Sequence, residues 1–243
     1  MNDVQENSAF FAIHSDLPRE APGDRASLDW AMTLARPPAS GRVLDAGCGP
    51  GADIKGLLAH VPQGQVVAVD LHGPFVDQVR ARFADDPRVQ AVQGDMLAQP
   101  GPFDLIWAAG TLYAVGVETA LQSLREGLVP GGHIAFSDLC WTGADRPAAV
   151  EAFFASEGLS LADEAELRAR IARAGLQLRD TTTLPPGAWE AYYTPMDARL
   201  ARLEQERPDD PHLARQIALH RDEIALWRSY GDRFGYILAV AGK

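Results

Sequence analysis

The chain has 243 residues, 47% of them hydrophobic, and carries 22 Lys and Arg against 33 Asp and Glu, a formal net charge of −11. That balance disfavours a nucleic-acid partner, whose phosphates require basic surface. No apolar run approaches the ~18 residues of a membrane span, so no membrane partner is expected either.

Residues 1–8 are polar and acidic, lack the basic and apolar regions of a signal peptide, and are expected to be frayed. Asp24 or Ser27 can cap a first helix running to about Ala35, where Pro37 and Pro38 stop it. Strand-like runs follow at residues 42–45, 65–70, 89–93, 103–107, 133–137 and 176–183, with helix-like segments at 52–60, 74–83, 117–126 and 163–174. Such alternation implies a parallel sheet with right-handed crossovers. A final strand is expected at 233–241. Before it lie two helical stretches, about 188–206 and 210–229, with Leu213, Ile217, His220 or Arg221, and Ile224 at helical spacing. This insertion either caps a substrate, packs on the sheet edge, or builds a dimer contact. The two cysteines, Cys48 and Cys140, argue against a structural disulfide and for a reducing cytoplasm.

The most informative stretch is Val43-Leu44-Asp45-Ala46-Gly47-Cys48-Gly49-Pro50-Gly51. An apolar strand runs into glycines on alternate positions and then into a helix. Those glycines permit a tight turn and a close ligand approach, and the helix start offers free N–H groups. Gly47, Gly49 and Ala52 satisfy the G-x-G-x-x-G/A dinucleotide pattern, which leaves an NAD(P)-dependent oxidoreductase open. Asp45 points elsewhere. A carboxylate at the end of a buried strand is costly without donors or a cation, and phosphates would repel it. S-adenosylmethionine (SAM), with an ammonium, a sulfonium and no phosphate, suits an anionic turn. Asp70 and Asp95 end the next two strands on the same sheet edge, where ligands of open parallel sheets bind. Asp70 can accept from ribose hydroxyls. Asp95 can accept from an adenine amino group, with Met96 against the ring. The alternative for each is a turn Asp or a helix N-cap.

These residues resemble a class I SAM-dependent methyltransferase. The carriers are Val43 to Gly51, Ala68-Val69-Asp70, Gly94-Asp95-Met96, Phe103-Asp104-Leu105-Ile106-Trp107 and the Leu128-Val129-Pro130-Gly131-Gly132 turn. A looser resemblance, through Pro18 to Gly23, Trp189 to Tyr193 and Phe234-Gly235-Tyr236, is to bacterial small-molecule methyltransferases of largely unassigned substrate. The resemblance implies an α/β fold: a doubly wound, mostly parallel, seven-stranded Rossmann-like sheet with an antiparallel last strand between the fifth and sixth, preceded by the helical insertion. It divides the chain into an N-terminal lid segment with the first helix (1–40), a cofactor-binding core (41–184), the insertion (185–232) and the last core strand (233–243). The implied cofactor is SAM, leaving S-adenosylhomocysteine (SAH) as product. The expected cofactor contacts are Arg19, Asp45, Ala46, Gly47, Cys48, Gly49, Asp70, Leu71, Asp95, Met96, Ala108 and Tyr113.

Methyl transfer from a sulfonium is an in-line displacement, so the protein mainly aligns the reactants and excludes water, and alignment alone contributes ~7–11 kcal/mol. A general base is needed only for some nucleophiles. Candidates for the pocket of a small-molecule acceptor are His14, Tyr113, Trp141, Trp189, Tyr192 and Tyr193. Each has a packing alternative, and for the aromatic cluster core packing is the stronger one. His60, His133, His212 and His220 stand alone in sequence, and no metal site is expected. A homodimer and a SAM-binding protein without catalysis remain open at this level.

Overall fold

The computed structural model describes residues 2–243, with side chains from Gln5 onward. The helices are α1 (Asn2–His14), α2 (Arg25–Ala35), α3 (Ile54–His60), α4 (Gly73–Arg82), α5 (Val117–Glu126), α6 (Ala148–Ser156), α7 (Glu164–Arg173), α8 (Pro186–Glu206) and α9 (Pro211–Tyr230). The strands are β1 (Arg42–Ala46), β2 (Gln65–Asp70), β3 (Val89–Gln93), β4 (Phe103–Ala109), β5 (Leu128–Trp141), β6 (Ala162–Asp163), β7 (Gln177–Thr183) and β8 (Phe234–Gly242).

One sheet runs in the order β3-β2-β1-β4-β5-β8-β7, with β6 paired to the end of β5. All neighbours are parallel except at β8, which is antiparallel to both β5 and β7. The central strands β1, β2, β4 and β5 read as near-continuous apolar runs because helices cover both of their faces. Leu121 and Leu124 of α5 and Leu167 and Ile171 of α7 pack on one face. Leu28 and Met32 of α2, Leu57 of α3 and Val79 of α4 pack on the other. Each such fully buried side chain contributes about 1.5–3 kcal/mol. Helix starts follow the capping rules: Asp24 caps α2 by accepting from Ser27 N at 2.7 Å, and Asp163 and Asp210 cap α7 and α9 in the same way.

Several elements differ from expectation. Residues 2–8 belong to helix α1 rather than to a frayed end. Its Ala9 and Ile13, with Leu17 beyond it, are buried in a third core made with α8 and α9. Arg199 of α8 fastens this helix by donating to Ala12 O at 2.8 Å and pairing with Asp16. Strand β5 starts at Leu128 and runs through the Pro-Gly-Gly segment to Trp141, well past the expected 133–137, because β8 pairs with it along its whole second half. Helix α6 and the short β6 were not anticipated. The insertion spans α8 and α9, and α9 packs against α1 and α6 as well as α8.

Candidate active site

The carboxyl ends of β1, β2, β4 and β5 open into one cavity of about 570 Å³. Its sheet-side wall starts where β1 ends. Gly47, Gly49 and Gly51 have φ of 71°, 51° and 81°, a region that favours glycine. A Cβ on Gly47 would lie 2.3 Å from Thr111 Oγ1, so the turn accepts no side chain there. Gly47 N and Cys48 N both donate to Val69 O at 2.9 Å, which ties the turn to β2. Asp70 closes it, accepting from Gly49 N at 2.9 Å and from His72 N at 2.8 Å. Below, Asp53 accepts from Trp107 Nε1 at 2.9 Å and pairs with Arg19 at 3.3 Å.

Asp45 is only 3% exposed, and its Oδ2 has no hydrogen-bond partner. Burial pushes its carboxyl well above the usual range; Asp53 and Asp70 add to this, and Arg19 opposes it. Burial likewise pushes the Cys48 and Cys140 thiols up, so neither is a ready nucleophile.

The opposite wall is assembled from distant segments. Tyr113 follows β4, Asp138 lies on β5, Tyr192 and Tyr193 come from α8, Glu223 from α9 and Tyr236 from β8. Tyr193 donates to Glu223 Oε1 at 2.8 Å. Burial raises the Glu223 carboxyl although this bond and His220 both oppose it, and burial brings Asp138 up to about 6. A row of polar side chains links the two walls. Glu20 Oε2 lies 2.5 Å from His14 Nδ1, His14 Nε2 lies 3.0 Å from His220 Nε2, and His220 Nδ1 lies 2.7 Å from Gln216 O. Burial, reinforced by Asp70, pushes Glu20 up to about 9, and burial brings His14 down to about 4.

Of the residues singled out in the sequence, Arg19, Asp45, Gly47, Cys48, Gly49, Asp70 and Tyr113 line the cavity, as do His14, Trp189, Tyr192 and Tyr193. Six others do not. Ala46 and Ala108 are fully buried in the sheet core. Leu71 is exposed at the rim. Asp95 caps a short 3-10 turn by accepting from Leu97 N at 2.8 Å, and Met96 Sδ lies 3.8 Å from Thr111 Oγ1. Trp141, expected at the pocket, lies off its lining. Strand β5 carries it past the cavity into register with Phe234, where it joins the third core.

Glu20, Asp53, Trp107, Arg170, Glu223 and Tyr236 also line the cavity and were not among the expected contacts. His220, read as isolated, meets His14 across 206 positions of sequence. Its one sequence signal was its place on the apolar stripe of α9, between Ile217 and Ile224.

A glycine turn at the carboxyl edge of a doubly wound sheet, with a single antiparallel strand inserted on its far side, is the architecture that the sequence resemblance implied. Residues 43–132 match the family model described as "Methyltransferase domain". Residues 43–132 thus carry a methyltransferase domain, and the chain around it is similar in fold to SAM-dependent methyltransferases. Among its relatives is the malonyl-[acyl-carrier protein] O-methyltransferase of Enterobacter lignolyticus, 31% identical over 144 residues, covering 53% of this chain and 56% of the relative. Another is the trans-aconitate 2-methyltransferase of Paracidovorax citrulli, 36% identical over 109 residues, covering 42% of this chain and 41% of the relative. The chain thus spans about half the length of these curated relatives. A crystal structure of a SAM-dependent methyltransferase from Geobacter sulfurreducens in complex with SAH superposes with a TM-score of 0.80 at 20% identity, covering 96% of this chain and 97% of that one, a likeness of fold. The oxidoreductase reading is set aside. The matched domain is a methyltransferase, and a pyrophosphate would find the Gly49 amide of the turn already given to Asp70.

Proposed function

We propose that this chain transfers a methyl group from SAM to a small-molecule acceptor, acting mainly by aligning the reactants and excluding water. The observation that carries the reading is the pair of buried carboxyl oxygens without partners, Asp45 Oδ2 and Glu20 Oε1, on the wall of a cavity bounded by the glycine turn. Such groups fit a ligand that brings ammonium and sulfonium charge. The cofactor, when bound, supplies the activated methyl group. Asp70 retains lone pairs for ribose hydroxyls beyond the two backbone donors it already accepts. Arg19, held by Asp53, stands ready for a carboxylate. Ala46, Leu71, Asp95, Met96 and Ala108 are proposed as supporting or rim contacts, since they lie off the cavity proper.

The acceptor occupies the side lined by Tyr113, Asp138, Tyr192, Tyr193 and Glu223. Seven acidic residues and two arginines line the whole cavity, so a neutral or cationic acceptor is favoured over an anionic one. The insertion and the N-terminal segment act as a cap, because His14, Tyr192, Tyr193, His220 and Glu223 reach the same space. Nothing in the cavity calls for a second copy of the chain. Two buried free cysteines support a cytoplasmic setting. Among the described residues no helix is long and apolar enough to cross a membrane.

A thermal-shift series with SAH, NAD and NADP tests the cofactor, since a ligand that prefers the native state raises the melting temperature. A rise with SAH and none with NAD or NADP is expected; the reverse overturns the reading. Release of SAH from SAM is then followed across amine, hydroxyl and carboxylate acceptors. Binding without turnover on any of them would leave a SAM-binding protein without catalysis.

A further inference from the structure

Three titratable side chains from distant segments meet beside the cavity and have no part in alignment alone. His14 ends α1, Glu20 follows in the Pro18–Gly23 turn, and His220 lies on α9. Their hydrogen bonds fix where the protons sit. Gln216 O can only accept, so His220 Nδ1 carries a hydrogen. In a neutral His220 the Nε2 is then bare, and the hydrogen in the 3.0 Å contact belongs to His14 Nε2. His14 Nδ1 is bare in turn, so the 2.5 Å contact with Glu20 Oε2 contains a proton. Whether that proton is drawn on oxygen or nitrogen, the Glu20–His14 pair holds one. Apolar surroundings keep the imidazoles uncharged: both are buried, and Phe10 stacks on His14 with ring centroids 4.1 Å apart.

The other end of Glu20 faces the ligand space. Its Oε1 is buried and unpartnered, and a Cβ on Gly49 would come within 3.1 Å of Glu20 Cγ, so the side chain lies directly over the glycine turn. The charged and titratable groups facing the row are Asp70 from the sheet, Tyr192 from α8, and Glu157 and Glu223 near His220, while Asp45 and Arg19 line the same cavity. Arg19 is already paired with Asp53.

We infer that the row Glu20–His14–His220 is a proton store geared to the charge of the cofactor: it yields its proton when a cationic ligand fills the cavity and takes the acceptor's proton as methyl transfer removes that charge. This rests on the methyl-transfer reading above. An opposite charge within ~4–6 Å of a carboxyl favours its ionised form, and loss of that charge restores its affinity for a proton. In the transfer step the acceptor N–H or O–H bond breaks and its proton passes to the Glu20 carboxylate. The electron pair of that bond stays on the acceptor side, an acceptor electron pair forms the bond to the methyl carbon, and the carbon–sulfur pair leaves with sulfur. One positive and one negative charge vanish together, so the step leaves the net charge of the cavity unchanged. The acceptor class is therefore protic, an amine or a hydroxyl.

The test is calorimetric titration of the full chain with SAM and with SAH, in buffers of different ionisation heat, to count protons released on binding. SAM is expected to release about one proton more than SAH near neutral pH, a difference that fades above about pH 9 as the row empties. The Glu20→Gln variant is expected to bind both ligands with that difference abolished. Equal release by the two ligands in the wild type, a difference that persists unchanged above about pH 9, or one that survives in Glu20→Gln, overturns the inference. If the wild type binds neither ligand, it is the methyl-transfer reading that fails.

Discussion

The two walls of the cavity are made of different materials. The sheet-side wall is backbone: three glycines in left-handed conformation, a strand end, and amides aimed at Asp70, all within residues 45–72. The far wall is side chain: tyrosines, carboxyls and imidazoles delivered by α1, α8, α9 and β8. A backbone wall has few solutions, because sterics forbid most of them. A side-chain wall has many, because packing alone decides which residues reach it.

That contrast can be broken experimentally, and the strongest blow falls on the backbone. Gly47→Val places a branched Cβ at φ 71° and against Thr111. The strain alone is about 1–3 kcal/mol, and about 1.4 kcal/mol is tenfold in affinity, so SAH binding measured by calorimetry is expected to fall by about 5- to 150-fold. Ile13→Ala attacks the side-chain wall at its root. Ile13 is fully buried between α1 and the insertion, so a loss of about 2–5 kcal/mol in denaturant unfolding is expected. A loss below about 0.5 kcal/mol would mean that α1 is not part of the folded body.

The pH dependence of stability sharpens the comparison further. The folded chain holds a proton on Glu20 up to about pH 9, whereas the unfolded chain sheds it near 4.5, so this group lowers stability as pH rises between those values. His14 acts oppositely. Its imidazole stays neutral down to about pH 4 in the fold but charges near 6.5 when unfolded, so stability falls as pH drops through that window. The melting temperature of the ligand-free chain should therefore decline from about pH 6.5 to 9, and Glu20→Gln should flatten part of the decline. An identical slope in the variant would show that Asp45 and Glu223, also pushed up by burial, carry it all. The smallest effect is expected from Tyr193→Phe. It removes one hydrogen bond to Glu223, about 1 kcal/mol, and should raise the KM of the acceptor a few-fold while leaving SAH affinity unchanged.

What could be read from the sequence follows the same division. The order of strands and helices, the glycine turn and the positions of Asp45 and Asp70 were legible because each rests on local chemistry: apolar runs, turn residues and strand ends. The antiparallel strand between the fifth and sixth came from family likeness rather than from its own residues. Asp95 could be placed at a strand end, but not distinguished from the cap it forms on the next turn. The place of Trp141 was not legible because nothing local says how far β5 continues; β8, almost a hundred residues later, decides it. His220 and Glu223 sit on an ordinary helical face, and only the arrival of α1 from the opposite end of the chain makes them part of a site.

The central seat of β8 also bears on how the molecule is made. The five strands in the order β3-β2-β1-β4-β5 can assemble as they leave the ribosome, each beside one already made. Strand β7 cannot, because its only neighbour in the sheet is β8, synthesised some fifty residues afterwards. Until then the inner edge of β5 stands open with its amides and carbonyls unsatisfied, a template for any passing strand. The last strand of the sheet to be made is thus the one that seals it, and a nascent chain stopped short of Phe234 would carry an unsealed edge into a crowded cell.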